Sequence, residues 1–263
     1  RTLAAGLNAE GVATRDIGLG GTEMVYHAAG QPGMGGGLMV TASHNPVGDN
    51  GIKMVRGEAR PISGDDGLAE MEALTRQLLA EQAQALGQGS GYAFGPLTDG
   101  SQYQPDPQLH ATLDLHASYI AKVRSFVNFS ALQQALQARA DAGRPLKLVV
   151  NAGNGCAGPT FDALVDGLPL SITRVFHTPD GQFPNGVPNP MLAKCQEDTA
   201  SVVRAERADV GIAWDGDFDR CFFFDEAGGF IEGYYLVALL GTQLLQHERN
   251  GAVVYDTRLT WNT

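Results

Sequence analysis

The chain has 263 residues, 43% of them hydrophobic, with 18 basic against 29 acidic side chains and a net charge of −11. Such an apolar content builds one large or two ordinary domains with real cores and excludes a disordered chain. The acidic balance opposes the counterion release on which nucleic-acid and anionic-membrane binding depend, so the expected partners are small molecules, and phosphate chemistry would rest on a metal and local basic groups.

The first residues, Arg1 to Leu7, read as helix. From there strand, Gly/Asn-rich loop and helix recur, the habit of α/β domains with parallel or mixed sheets and sites at the carboxyl ends of strands. Leu38 to Thr41 is the first clear strand, and after a serine-bearing loop the turn signal Asn50-Gly51 leads into a second strand, Ile52 to Val55. Leu68, Met71, Leu74, Leu78 and Leu79 then fall at helical spacing within Asp65 to Leu86, which predicts an amphipathic packing helix with acidic residues at its positive end. Gln88 to Pro107 has linker composition.

A second unit follows, with a helix around Leu113 to Phe126 and a buried strand, Leu146 to Val150, feeding Asn151-Ala152-Gly153-Asn154-Gly155. Pro159 suits the first turn of a helix, and Ile172 to Phe176 reads as strand. Thr178 to Pro190 is a long loop whose prolines fix its path, and a helix from about Gln196 to Arg207 leads to the strand Val210 to Trp214. Cys221 to Asp225 continues as strand, Glu226 to Gly229 turns the chain, a third unit starts near Phe230, and Ala252 to Tyr255 is strand-like. The expected domains are 1–115, 116–228 and 229–263, with both ends read as cut from something longer.

Cys156, Cys195 and Cys221 show no paired spacing and read as buried small hydrophobes in a reducing, cytoplasmic chain. No apolar run approaches the roughly 18 residues of a membrane span. Even Tyr234 to Leu245 is interrupted by Gly241, Thr242 and Gln243.

Two motifs carry chemistry. Asp215, Asp217 and Asp219 alternate directly after a buried strand, so in an extended loop three hard oxygen ligands would converge on one small divalent cation. A calcium loop of the EF-hand type is excluded, because its sixth position is Arg220 rather than Gly, residues 221 to 224 are Cys-Phe-Phe-Phe, and the preceding segment is strand. Far upstream, Thr41-Ala42-Ser43-His44-Asn45-Pro46 puts a hydroxyl beside an imidazole at a strand exit. Alone, Ser43 is a turn residue; with the acidic trio, a phosphorylated Ser43 becomes a fourth metal ligand. His44 is either a phosphate-binding or proton-transfer group or a local hydrogen-bonding residue, and Lys53 is either a base of lowered pKa or an exposed lysine. Arg220 neutralises the acids or reaches a substrate phosphate.

Together with Asn50-Gly51-Ile52-Lys53 and the Thr178 to Pro190 loop, these motifs resemble the α-D-phosphohexomutase superfamily over nearly the whole chain. Arg60 to Asp65, Asp219 to Phe222, Phe230 to Tyr235 and Arg258 to Thr263 are similar to its bacterial phosphomannomutase branch, which feeds GDP-mannose synthesis. The resemblance implies repeated α/β domains and reversible conversion of mannose 6-phosphate to mannose 1-phosphate through a phosphoserine, Mg2+ and a hexose 1,6-bisphosphate intermediate that also serves as activator. Phosphoglucomutase or dual-specificity activity is the alternative, and a non-catalytic, divalent-ion-dependent sugar-phosphate binding fragment is another. In this reading Ser43 matches the phosphoserine, Asp215, Asp217 and Asp219 the metal ligands, Lys53 and His44 the proton-handling and phosphate-contacting positions, and Arg220 the arginine after the metal loop. The family's extreme N-terminal arginine segment, most of its third domain and its fourth domain have no counterpart in these residues. A rival reading is an aspartyl-phosphate phosphatase with Asp215 as nucleophile and Asp217 as acid.

Overall fold

A computed structural model describes residues 1–85, 103–247 and 251–253. These form a mixed α/β structure of two compact units that are not contiguous in sequence. Arg1–Leu19, Glu23–Met39 and Ile52–Ala117 make the first; Gly20–Thr22, Val40–Gly51 and the chain from Ser118 onward make the second.

The elements of the first part of the chain are α1 (Thr2–Ala9), β1 (Thr14–Asp16), α2 (Thr22–Ala29), β2 (Gly36–Thr41), β3 (Gly51–Arg56), α3 (Leu68–Ala85) and β4 (His110–Thr112). β1 pairs in parallel with β4, Thr14 opposite His110, and β2 neighbours β3 in a second two-stranded sheet. Asn8 ties α1 to this pairing: its amide donates to the Val12 carbonyl at 2.9 Å and to Thr14 Oγ1 at 3.2 Å, and Thr14 Oγ1 meets His110 Nδ1 at 2.8 Å. α3 starts at Leu68 rather than Asp65, because Asp66 is held by Arg56 at 2.8 Å and the Leu68 amide bonds back to Ser63. Its apolar stripe is not a packing face. Leu68, Met71, Leu74 and Leu78 are 41 to 55% exposed.

The second part contributes α4 (His116–Arg124), α5 (Phe129–Asp141), β5 (Leu146–Asn151), α6 (Ala157–Val165), β6 (Leu170–Val175), α7 (Ala193–Glu206), β7 (Val210–Trp214), β8 (Cys221–Phe224), β9 (Phe230–Ile231) and α8 (Gly233–His247). Five strands form one sheet in the order β6-β5-β7-β8-β9. β6, β5 and β7 run parallel, Leu148 lying opposite both Ile172 and Val210, while β8 returns antiparallel to β7 with Ala213 opposite Phe222. Helices cover both faces, so central β5 carries an unbroken apolar run, with Val149 and Val150 fully buried. Val149 packs with Ala200, Val203, Ala213 and Phe224; Leu148 and Val150 pack with Phe161 on the opposite face. Burial of each Val, Leu or Phe side chain among these is worth about 1.5–3 kcal/mol. Phe161 also meets Trp214, with ring centroids 5.5 Å apart.

From β5 the chain crosses through α6 to one neighbour, then through α7 to the other. This reversal opens a crevice at the carboxyl ends of β5 and β7, the place where open α/β sheets receive ligands. The 178–190 loop occupies it, leaving a shallow cleft lined by Pro188, Cys195 and Trp214 among others.

Gln88 to Gln102 and the second half of the Ala252 to Tyr255 run lie outside the described residues. None of the cysteines forms a disulfide; Cys156 and Cys195 are half-buried, but Cys221, expected inside, is exposed on the sheet's antiparallel hairpin. Among the described residues no helix is long and apolar enough to cross a membrane.

Candidate active site

β7 delivers its last residue, Trp214, to the switch point, and the acidic loop begins at the next position. The loop is a turn rather than an extended segment: Phe218 N–H donates to the Asp215 carbonyl at 3.2 Å, and Phe218 has φ 46°. The carboxylates converge nonetheless. Oxygens of Asp215, Asp217 and Asp219 all lie within 4.8 Å of one another. Asp215 and Asp217 are 0 and 2% exposed, whereas Asp219 opens to solvent.

Close backbone contacts fix this loop. A Cβ on Gly216 would lie 2.5 Å from the Ser43 carbonyl oxygen, and one on Gly155 would lie 2.6 Å from the Gly216 carbonyl oxygen. Three backbone segments therefore stack with no room for a side chain. Cys156 N–H donates to the Gly216 carbonyl at 2.9 Å, and Thr22 N–H to the Asp217 carbonyl at 3.2 Å. The Cys156 thiol, pushed up to about 11 by burial and then by the Asp217 charge, stays protonated and inert.

Asn154 anchors the proline loop to the same place. Its N–H donates to the Phe176 carbonyl at 2.7 Å, its carbonyl accepts from Asp180 N–H at 2.8 Å, its side-chain amide donates to the Thr178 carbonyl at 2.9 Å, and its side-chain oxygen accepts from Asn185 at 2.8 Å. A φ of 59°, which asparagine tolerates better than most residues, lets all four groups reach one loop.

The serine loop leaves β2 at Thr41, and Ser43, though early in sequence, belongs to the same compact unit as the acidic trio. Ser43 Oγ donates to Asp215 Oδ2 at 2.6 Å and lies 3.1 Å from His44 Nδ1. His44 Nε2 faces Arg220 Nη2 at 3.4 Å. A guanidinium only donates, so Nε2 accepts and the imidazole proton sits on Nδ1, aimed at Ser43 Oγ. The Arg220 backbone N–H donates to Asp215 Oδ1 at 3.2 Å, while its Nε stands 3.7 Å from Asp215 Oδ2 and 4.0 Å from Asp219 Oδ1. Thr41 Oγ1 donates to Asp217 Oδ2 at 2.8 Å and accepts the Ser43 N–H at 3.0 Å. Ser43 itself is held at φ 52°, a sparsely populated conformation for serine.

Burial raises the Asp215 pKa, and the charges of Asp217 and Asp219 push the same way against the opposing bonds from Ser43 and the Arg220 N–H. A cation among these oxygens would relieve that stress. Three carboxylates beside a hydroxyl form an all-oxygen donor set that fits a hard divalent ion.

The second unit thus brings together Ser43, His44, Asp215, Asp217, Asp219 and Arg220. Lys53 sits half-buried on β3, in the first unit. Thr41, Gly155 and Asn154 are the supports that a reading of motifs passes over. Thr41 gives no signal beyond its place two residues before Ser43, whereas the Gly153-Asn154-Gly155 run marks a tight turn without naming what it touches.

The chain matches phosphoglucomutase/phosphomannomutase α/β/α domain I over residues 1–82 and α/β/α domain II over residues 117–229. It belongs to the phosphoglucomutase/phosphomannomutase family. A relative named "Phosphohexose mutases" from Xanthomonas campestris pv. campestris (strain B100) is 48% identical over 261 residues, covering 99% of this chain and 51% of the relative. One named "Phosphomannomutase" from Escherichia coli is 44% identical over 269 residues, covering 99% and 52%. The crystal structure of a phosphoglucomutase/phosphomannomutase family protein from Burkholderia thailandensis superposes with a TM-score of 0.70 at 28% identity, covering 94% of this chain and 47% of that one. The chain spans about half the length of the curated relatives it matches. Membership of the phosphoglucomutase/phosphomannomutase family agrees with the resemblance read from the motifs, and the parallel core of the second unit agrees with the expected fold class.

Proposed function

We propose that this chain carries the phosphoryl-transfer centre of a phosphohexomutase acting on mannose 6-phosphate and mannose 1-phosphate, with Ser43 as the phosphate carrier. The observation that carries this reading is the 2.6 Å contact between Ser43 Oγ and Asp215 Oδ2, made inside one compact unit by residues 172 positions apart. The names of the relatives support mannose phosphates as substrates; glucose phosphates are the alternative within the same family.

Asp215, Asp217, Asp219 and an oxygen on phosphorylated Ser43 would hold Mg2+, which when bound offsets the negative charge of the phosphoryl group. In the transfer, a free hydroxyl of the hexose phosphate attacks the phosphorus on Ser43; its oxygen gains the P–O bond as the P–Oγ bond of Ser43 breaks. The hydroxyl proton passes to a base, for which the motifs offer Lys53 and His44; His44 would accept it at Nε2, since its Nδ1 already carries a proton. The Nδ1–H of His44 faces the departing Oγ and Arg220 places a cation beside the same oxygens, so charge on the serine oxygen is met by fixed donors. Reversal from the other phosphate of the hexose 1,6-bisphosphate regenerates phospho-Ser43 and releases the isomer.

A phosphatase with Asp215 as nucleophile fits poorly, because that carboxylate is fully buried and both its oxygens already accept hydrogen bonds. Intact-mass measurement after incubation with glucose 1,6-bisphosphate tests the proposal. A single added phosphate, acid-stable and absent in Ser43→Ala, is expected; an undiminished label in the variant rejects Ser43 as carrier.

A further inference from the structure

We propose that Thr41 is a positioning residue of this centre, its hydroxyl holding the Asp217 carboxylate and the Ser43 backbone in mutual register for the divalent cation. The inference rests on the metal-centre reading above and assigns a role to a residue outside the ligand set.

A threonine hydroxyl has one proton and two lone pairs. Here the proton goes to Asp217 Oδ2 at 2.8 Å, and a lone pair takes the Ser43 N–H at 3.0 Å. Both commitments matter at strained points. Asp217 is 2% exposed within 4.8 Å of two other carboxylates, where like charges favour rotation away from a shared ion. Ser43 has φ 52°, so its backbone depends on neighbouring bonds to stay there. Thr41 is suited to serve both because it ends β2, whose strand fixes its backbone, and because its branched Cβ restricts χ1 and so fixes the direction of the hydroxyl. Groups that orient a metal ligand typically change metal affinity by about 10–100-fold when removed.

Two variants separate the hydroxyl from the shape. Thr41→Val keeps the branched side chain without its polar group, and Thr41→Ser keeps the hydroxyl. In Mg2+ titration calorimetry of the whole chain, Thr41→Val is expected to bind about 10–100-fold more weakly while Thr41→Ser stays within about threefold of the parent. In the metal-free chain, Ser43 amide exchange is expected to quicken about fivefold in Thr41→Val, the loss of one ordinary hydrogen bond, and to be retained in Thr41→Ser. Parent-like binding and exchange in Thr41→Val would overturn the role, as would a Thr41→Ser that fails alongside it. If the parent itself bound no Mg2+, the metal centre would fall and this role with it, whereas a parent that binds and a valine variant that matches it would remove Thr41 alone.

Discussion

Two aspartate-containing clusters in the second unit make opposite use of the same chemistry. At the carboxyl end of β7, Asp215 is buried among Asp217 and Asp219, and its pKa is driven up by burial and by those like charges. On the flank of the sheet, Asp162 of α6 is partly exposed. Burial is the largest single influence and raises its pKa, but the partners together outweigh it, chiefly through hydrogen bonds from Arg174 at 3.0 Å and His177 at 2.9 Å, and bring it below the ordinary carboxylate value. Asp162 has its own counter-charge in Arg174, 2.9 Å away, and needs no other. The buried cluster sets three carboxylates against the Arg220 guanidinium, an excess of negative charge that a divalent cation would offset. Asp215 and Asp162 are both aspartates beside an arginine; burial and the sign of their other neighbours separate them.

The sharpest way to break this contrast is to neutralise one carboxylate in each cluster. Asp217→Asn, nearly isosteric, should weaken Mg2+ binding more than about 100-fold, beyond the range for groups that merely orient ligands. It should also suppress phosphate labelling of Ser43 from glucose 1,6-bisphosphate. Calorimetry and intact mass read both effects. Unchanged Mg2+ affinity would show that the trio is only a turn with acidic side chains.

The acidic loop is also the better braced, and Asn154 is the brace that can be tested without touching a ligand. Asn154→Ala loses two side-chain hydrogen bonds and keeps a left-handed φ that alanine resists, a destabilisation of about 3 kcal/mol. Asn154→Gly loses the same bonds but accepts the φ, so about 2 kcal/mol is expected. Urea denaturation of the two variants measures the difference. Equal midpoints would mean that backbone strain at this turn contributes nothing.

The contrast also explains which features are legible in the order of residues alone. The acidic loop is legible because its ligands lie within five residues and follow an apolar strand, and Thr41 to Pro46 because a hydroxyl and an imidazole stand side by side at a strand exit. β5 shows itself through Val149 and Val150, and β2 and β3 through the Asn50-Gly51 turn between them. Asp162, Arg174 and His177 give no such signal, since α6 and β6 must pack before the three can meet. β1, β4 and β9 are only three, three and two residues long, too short for a period to register. α5 is built largely from Ala and Gln with one buried residue, Leu136, so its apolar face is nearly silent in the sequence. The left-handed backbone at Ser43 is equally hidden, because serine does not announce a positive φ as glycine would.

The smallest effect belongs to the open cluster. The folded-state pKa of Asp162 lies below its unfolded value of about 3.9, so the stability it adds is present above that pH and is lost as pH falls through the lower folded value. Its side chain is 40% exposed, and screened pairs of this kind contribute no more than about 0.5 kcal/mol. Asp162→Asn should therefore unfold at slightly lower urea than the parent at about pH 6, and the gap should close as acid protonates the parent carboxylate. Asp215 carries the opposite sign: with its pKa raised, its contribution to the metal-free chain is present at low pH and is lost as pH rises through the folded value. Mg2+ affinity should be the same in Asp162→Asn as in the parent. If that substitution weakened Mg2+ binding, the two clusters would be coupled through β6 and β5, and the division between a self-neutralised ion pair and a cation-seeking site would fail.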